Sequence, residues 1–309
     1  MDDKWTSDDI PDLRGKVIIV TGANSGIGFE AAREFARKGA TTILACRDLE
    51  KANAAMAKID AESPNAKVEV MHLDLASLKS IHEFADAFHA KYDRLDVLLN
   101  NAGIMMVPYR LTKDGFESQV GTNHLGHFAL TGLLIDLLER TPGSRVVNIS
   151  SGGHRMGKMD FDNFLYKHGK SYSRTEAYGR SKLSNLLFTY ELERRLESNG
   201  RNPIAVAAHP GLSATHLADH FGGGHMKGLI HLVFQLIAQS AEMGALPGIR
   251  AAIDPEVSGG QYYGPDGTRE RLGYPTLVHS NRASHNMADA QHLWKISEEL
   301  TGVRYLDQN

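Results

Sequence analysis

Val17-Ile18-Ile19-Val20-Thr21-Gly22-Ala23-Asn24-Ser25-Gly26-Ile27-Gly28 decides how this chain is read. The apolar run 17–20 is too short for a helix and suits a buried strand. After it, Phe29 to Lys38 is rich in Ala, Glu and Arg, with Ile27, Ala31, Phe35 and Ala36 spaced along one helical face. Between them the glycines have separate physical tasks. Gly22 turns the backbone sharply off the strand, Gly26 allows close approach to a pyrophosphate, and Gly28 lets the helix pack tightly on the sheet. The helix then directs its unpaired N–H groups and positive dipole end toward a phosphate.

The chain alternates strand and helix on both sides of this unit. Strands are expected at 17–20, 41–45, 68–71, 95–99, 145–149, 203–208 and 260–263. Helices are expected at 29–38, from the Asp48 cap to 61, from the Ser77 cap to 91, and at 115–139, 175–199 and 284–300, the last ended by Gly302. Residues 152–174 are irregular. Such alternation implies an α/β fold: a doubly wound parallel sheet of about seven strands with helices on both faces. Ligands of such sheets bind beyond the carboxyl ends of the strands, near the point where strand order reverses.

The 309 residues, 42% hydrophobic with a net charge of −3, give a substantial core and no basic excess for nucleic acid. A single cysteine, Cys46, excludes an intramolecular disulfide. The N-terminus carries no apolar signal segment, and no apolar run approaches the ~20 residues of a spanning helix, so a cytoplasmic location is expected. Among 15 histidines, His216, His220 and His225 lie closest together, but no glutamate intervenes and no third firm ligand follows, so no metal is expected.

Several residues then carry chemistry. Arg47 ends the second strand, where a dinucleotide fold meets the adenosine ribose. An acid there would bind a 2′-hydroxyl, whereas an arginine favours a 2′-phosphate, so NADP(H) is expected over NAD(H). Asp48 is read as a helix cap. Asn123 falls in the middle of a long helix, where its amide competes with backbone bonds, and so needs a reason to be there. Ser150 and Ser151 end the fifth strand and point to opposite faces, so one of them faces the site. Tyr178 and Lys182 are four apart on a helix and share a face, and the ammonium is expected to lower the phenol pKa toward the working range.

The glycine spacing T-G-x-x-x-G-x-G, Asn100-Asn101-Ala102-Gly103, Thr122-Asn123-His124, the serine strand and Tyr178-Gly179-Arg180-Ser181-Lys182 occur in one order. Over roughly residues 15–265 the chain resembles the short-chain dehydrogenase/reductase family. Ala45-Cys46-Arg47-Asp48, the long stretch between Ser151 and Tyr178, His209-Pro210-Gly211 and the tail helix resemble its retinol dehydrogenase-like branch. The resemblance implies a single Rossmann domain over 1–309, with an N-terminal extension at 1–14 and a C-terminal one at 265–309. It implies a catalytic set of Asn123, Ser151, Tyr178 and Lys182, with Ser150 the alternative serine if the strand ends a residue earlier. It places the cofactor on Gly22, Asn24, Ser25, Gly26, Ile27, Gly28, Arg47, Asp74, Leu75, Asn101, Ala102, Gly103, Tyr178, Lys182, Pro210, Gly211 and Thr215. Asp74 is expected at the adenine, and Asn123 in a water-linked proton relay with Lys182.

The implied activity is interconversion of an alcohol and a carbonyl. A non-catalytic NADP sensor and a protochlorophyllide-type reductase are the rivals. The almost unbroken apolar run after Gly222-Gly223-Gly224 is expected to make 212–240 a lid over a lipophilic substrate, and it leaves peripheral membrane contact and a homo-oligomer open. His154 is expected to border the substrate.

Overall fold

The computed structural model describes residues 4–212 and 239–306. Among these, eight strands form one sheet in the order β3-β2-β1-β4-β5-β6-β7-β8. They are β1 (Val17–Thr21), β2 (Thr41–Cys46), β3 (Lys67–His72), β4 (Val97–Asn100), β5 (Arg145–Ile149), β6 (Ile204–Ala208), β7 (Tyr262–Pro265) and β8 (Pro275–Leu277). Neighbours from β3 through β7 pair in parallel, and β8 returns antiparallel to β7.

The period of two along each strand distributes the core between two layers. Ile18, Val20, Leu44, Leu99 and Val147 pack in one cluster with Phe35, Ile59 and Ile249. Ile19, Ile43, Leu98 and Val146 face the other way, toward Phe84, Phe88, Phe128, Leu192 and Trp294. The first layer is therefore built on α1 (Gly26–Arg37), α2 (Leu49–Glu62) and α7 (Ala241–Ile253). The second is built on α3 (Leu78–His89), α5 (Gly126–Arg140), α6 (Arg174–Ser198) and α8 (Met287–Thr301). Strands apolar on both faces need this double cover.

The differences from the sequence reading have local causes. The helix expected over 115–139 is three pieces: one turn α4 (Ser118–Val120), a π-helix over Gly121–Leu125, and α5. The π turn contains Gly121, of low helix propensity, and Asn123, whose amide competes with regular helical bonds. Helix α7 was not foreseen because Gly244, Pro247 and Gly248 interrupt its sequence, yet it spans them and buries all three. Strand β8 has three residues and opens with a proline, so no pattern announces it. The seventh strand lies two residues later than expected, and a short 3₁₀ turn (Arg282–His285) precedes α8.

The chain after α8 folds back over α5 and α6. Trp294, Val303 and Tyr305 are buried against Phe128 and Phe188, with the Trp294 and Phe128 rings 5.1 Å apart edge to face. Gly132 on α5 makes room for this, since a side chain there would strike the Tyr305 ring.

Candidate active site

A cleft of about 450 Å³ opens at the carboxyl ends of β1, β4 and β5, where strand order reverses. The glycine turn forms its floor. Gly22 and Gly26 have φ of +68° and +57°, which other residues rarely adopt. A side chain on Gly28 would collide with the Asn101 amide and the Gly22 carbonyl, so helix and strand approach only with glycine there. α1 begins without a side-chain cap, whereas α2, α3, α6, α7 and α8 are capped by Asp48, Ser77, Ser173, Ser240 and Asn286. Its first-turn N–H groups are thus left facing the cleft, which fits a pyrophosphate. Asn24, Ser25, Gly26 and Ile27 line the same wall.

Thr21, which the sequence reading did not single out, knits the turn to β4. Its Oγ1 accepts the N–H groups of Asn101 and Ala102, each at 2.9 Å, and its carbonyl accepts from Asn101 Nδ2 at 2.8 Å. Gly22 lies close under Ala102, where an added Cβ would stand 3.0 Å from the alanine methyl. Cys46 is buried, and its sulfur accepts N–H groups from Ala23 and Asn24. Burial pushes its thiol pKa up to about 11, so it supports the turn as a neutral group.

At the other end of the cleft Arg47 is exposed beside Asp48, Asp74 and Leu75. Asp48 caps α2 through Lys51 N–H at 3.1 Å and pairs with the Lys51 ammonium at 3.1 Å, as a cap should. Asp74 is buried. Its Oδ1 accepts from Ala76 N–H at 3.1 Å and its Oδ2 pairs with Lys113 at 3.0 Å. Lys113 sits 39 residues away in sequence, and no local signal marks it.

Asn123, Ser151, Tyr178 and Lys182 converge at the β5 end. Ser150 lines the cleft, but its hydroxyl is engaged elsewhere, donating to the Lys182 carbonyl at 2.9 Å. Ser151 Oγ accepts from Gly153 N–H at 3.1 Å and stands with the Tyr178 ring against Gly153, so Ser151 is the serine whose hydroxyl lies beside the tyrosine. The phenol pKa is raised, not lowered: burial dominates, and the nearby Ser151 hydroxyl offsets it only in part. The expected ammonium effect is missing because Lys182 donates to the Ile149 carbonyl at 2.9 Å, with Nζ 6.0 Å from the Tyr178 ring centre. Burial pulls the ammonium pKa itself down to about 8. Both ends of the Asn123 amide are engaged. Oδ1 accepts from Ile104 N–H at 2.8 Å, and Nδ2 donates to the Ile104 carbonyl and to Ser181 Oγ, each at 2.9 Å. Gly103 lies between Asn123 and Lys182, 3.2 and 3.4 Å from where its Cβ would be.

Pro210 borders the cleft and Gly211 follows it with φ +66°. Thr215 and the three clustered histidines lie outside the described residues, as does nearly all of 212–240. The ends of that segment meet, with Gln239 N–H donating to the Leu212 carbonyl at 2.9 Å and Gln239 Nε2 to the Pro210 carbonyl at 2.9 Å. His154 is fully buried and does not border the cleft. Its Nδ1 lies 2.6 Å from the Ser151 carbonyl, and its Nε2 accepts from Asn281 N–H at 3.2 Å. Glu270, in a strained left-handed conformation (φ +55°), spans the two sides of this end. It accepts from Arg155 at 3.1 Å and touches His209 Nε2 at 3.1 Å, the latter outside hydrogen-bond geometry. His209 first, then Arg155, hold its carboxyl pKa down to about 2.

The sequence profile described as short chain dehydrogenase matches residues 16–222. The chain is 42% identical to retinol dehydrogenase 13 of Homo sapiens, over 94% of this chain and 86% of that protein. It is also 42% identical to retinol dehydrogenase 12 of Mus musculus, over 95% and 88%. A crystal structure of an uncharacterized protein from Mycobacterium Paratuberculosis superposes with a TM-score of 0.81 at 42% identity, covering 98% of this chain and 99% of that one. With the fold, the cleft and these likenesses in agreement, the chain belongs to the short-chain dehydrogenase family of oxidoreductases and is retinol dehydrogenase-like.

Proposed function

We propose that the protein is an NADP(H)-dependent enzyme that interconverts an alcohol and a carbonyl on a lipophilic small molecule, with Asn123, Ser151, Tyr178 and Lys182 as its catalytic set. The observation that carries this reading is the placement of the Ser151 hydroxyl beside Tyr178, with the Lys182 ammonium 6.0 Å from the Tyr178 ring centre, at the edge of the cleft that the glycine turn opens. The nicotinamide supplies or takes up hydride when bound. Ser151 donates a hydrogen bond to the substrate oxygen, where negative charge develops on reduction. The Tyr178 phenol, kept protonated by burial, gives its proton to that oxygen, and its phenolate takes one back on oxidation. Lys182 supplies positive charge near the phenolate. Asn123 holds the Gly103–Ile104 backbone in place and, as the family resemblance implies, joins the proton relay.

Arg47 at the cleft edge supports the 2′-phosphate, because Asp48 beside it is engaged by α2 and Lys51. The likeness to retinol dehydrogenases supports an apolar alcohol or aldehyde as substrate. The test is NADPH consumption across a set of long-chain and small aldehydes and ketones, run in parallel on Tyr178→Phe. That substitution leaves the ring in place and removes the hydroxyl. NADP⁺ affinity is expected to survive while turnover falls at least ~100-fold. Near-normal turnover in Tyr178→Phe would overturn the mechanism.

A further inference from the structure

His127 lies one helical turn beyond Asn123, at the start of α5, and is 2% exposed. Its Nδ1 stands 3.0 Å from the Asn123 carbonyl oxygen and its Nε2 2.9 Å from Thr21 Oγ1. A carbonyl oxygen can only accept, so the ring proton sits on Nδ1. Burial first, and the nearby Lys182 charge less, pull the imidazole pKa down to about 4, so the ring is neutral and Nε2 is bare. Nε2 therefore accepts the Thr21 hydroxyl proton. The Leu99 carbonyl competes for that proton at 3.4 Å and loses on distance. Thr21 Oγ1 is then left with its lone pairs for the N–H groups of Asn101 and Ala102.

One imidazole thus closes a chain of hydrogen bonds with only one consistent set of proton positions. It starts at the end of β1, where the glycine turn begins, and ends on the backbone of the π turn. The far end matters because the Asn123 amide commits both Nδ2 protons and one Oδ1 lone pair to Ile104 and Ser181. Its backbone carbonyl is the other acceptor it can offer a relay, and His127 is the side chain that holds that carbonyl.

We propose that His127 is a positioning residue of the reaction, coupling the cofactor-binding turn at Thr21 to the Asn123 carbonyl in the π turn. The proposal rests on the catalytic reading of Asn123 given above. It makes the two halves of the site separable by substitution. Asparagine places an amide near the Nδ1 position and can donate to the Asn123 carbonyl, while losing Thr21. Glutamine reaches the Nε2 position and can accept from Thr21, while losing Asn123. Phenylalanine keeps the ring volume and loses both.

The full chain and the variants His127→Asn, His127→Gln and His127→Phe are compared by melting temperature, by titration with NADP⁺ alone (or NAD⁺, if the wild type binds that instead), and by turnover of the best carbonyl substrate. His127→Asn is expected to weaken nucleotide binding about tenfold with kcat held within about threefold, one lost buried hydrogen bond being of that size. His127→Gln is expected to show the reverse split, and His127→Phe both losses. Equal nucleotide affinities for the Asn and Gln variants would overturn the coupling, as would losses of affinity and kcat that merely track melting temperature. A wild type that binds nucleotide but turns over no alcohol or carbonyl would sink the catalytic reading, while the affinity comparison would still decide the His127–Thr21 half.

Discussion

In the proposed reading, cofactor choice rests on a single side chain. Arg47 is exposed at the end of β2 with the cleft in front of it, and the one acid next to it is engaged by Lys51. Arg47→Asp would replace a planar donor with a carboxylate that repels a 2′-phosphate and accepts from a 2′-hydroxyl. The substitution is expected to raise KM for NADP(H) by at least about tenfold and to improve NAD(H) use, since a charge-assisted bond contributes roughly 1.5–3 kcal/mol. Steady-state kinetics with both cofactors checks this, and a wild type that prefers NAD(H) refutes it before the variant is made. Tyr178 teaches a related lesson about side chains. Spacing alone put an ammonium next to a phenol, but burial sets the direction of the phenol pKa and a backbone carbonyl holds the ammonium.

The irregular stretch between β5 and α6 is organised by one buried cation on the helix. Arg180, 1% exposed, donates to the carbonyls of Lys158, Asn163 and Phe164 at 2.8 to 3.0 Å, pairs with Glu176 at 3.2 Å and stacks on the Tyr166 ring at 4.1 Å. The segment has no regular structure beyond short 3₁₀ turns, so its carbonyls depend on this fork. Arg180→Lys keeps the charge but can reach one or two of these acceptors, leaving others buried and unpaired at about 1–3 kcal/mol each. A drop of several degrees in melting temperature is expected, with new tryptic cleavage at Lys158, Lys167 or Lys170. Unchanged stability and protection would show that the segment is held by other contacts.

Three buried histidines make the whole molecule sensitive to acid. Burial pulls the imidazole pKa of His124 down to about 3 and those of His127 and His154 to about 4, against 6.5 for a free ring. Between pH 6.5 and about 4 the unfolded chain binds protons that the folded chain refuses, so stability rises with pH across that window and levels off above it. Each such ring contributes up to ~1.4 kcal/mol per pH unit there. Glu117 and Glu193, with carboxyl pKa values raised by burial, act in the opposite sense and offset part of the effect. Melting temperature is expected to fall steadily from pH 6.5 to 4.5. A flat or rising profile on acidification would refute the neutral, buried state of these rings.

The sheet, the glycine turn and the residue types of the proposed catalytic set could be read from residue order because each is a local pattern. Apolar runs of four or five residues, the helix that follows Gly28, the Tyr178–Lys182 spacing and the Asp48 and Ser77 caps are all written within a few positions of one another. What could not be read was any pairing across the sheet. Thr21 meets His127 across 106 residues, Asn123 meets Ser181 across 58, and Lys113 meets Asp74 across 39. Helix α7 was hidden by its own proline and glycines, because packing against α1 and over β4–β7 outweighs their low propensity. The choice of Ser151 over Ser150, the proton on His127 Nδ1 and the raised pKa of Tyr178 follow from which faces the strand order brings together and how much water they exclude. Local sequence sets the chemical groups and their periodicity, while burial and partner choice depend on contacts between segments far apart in the chain.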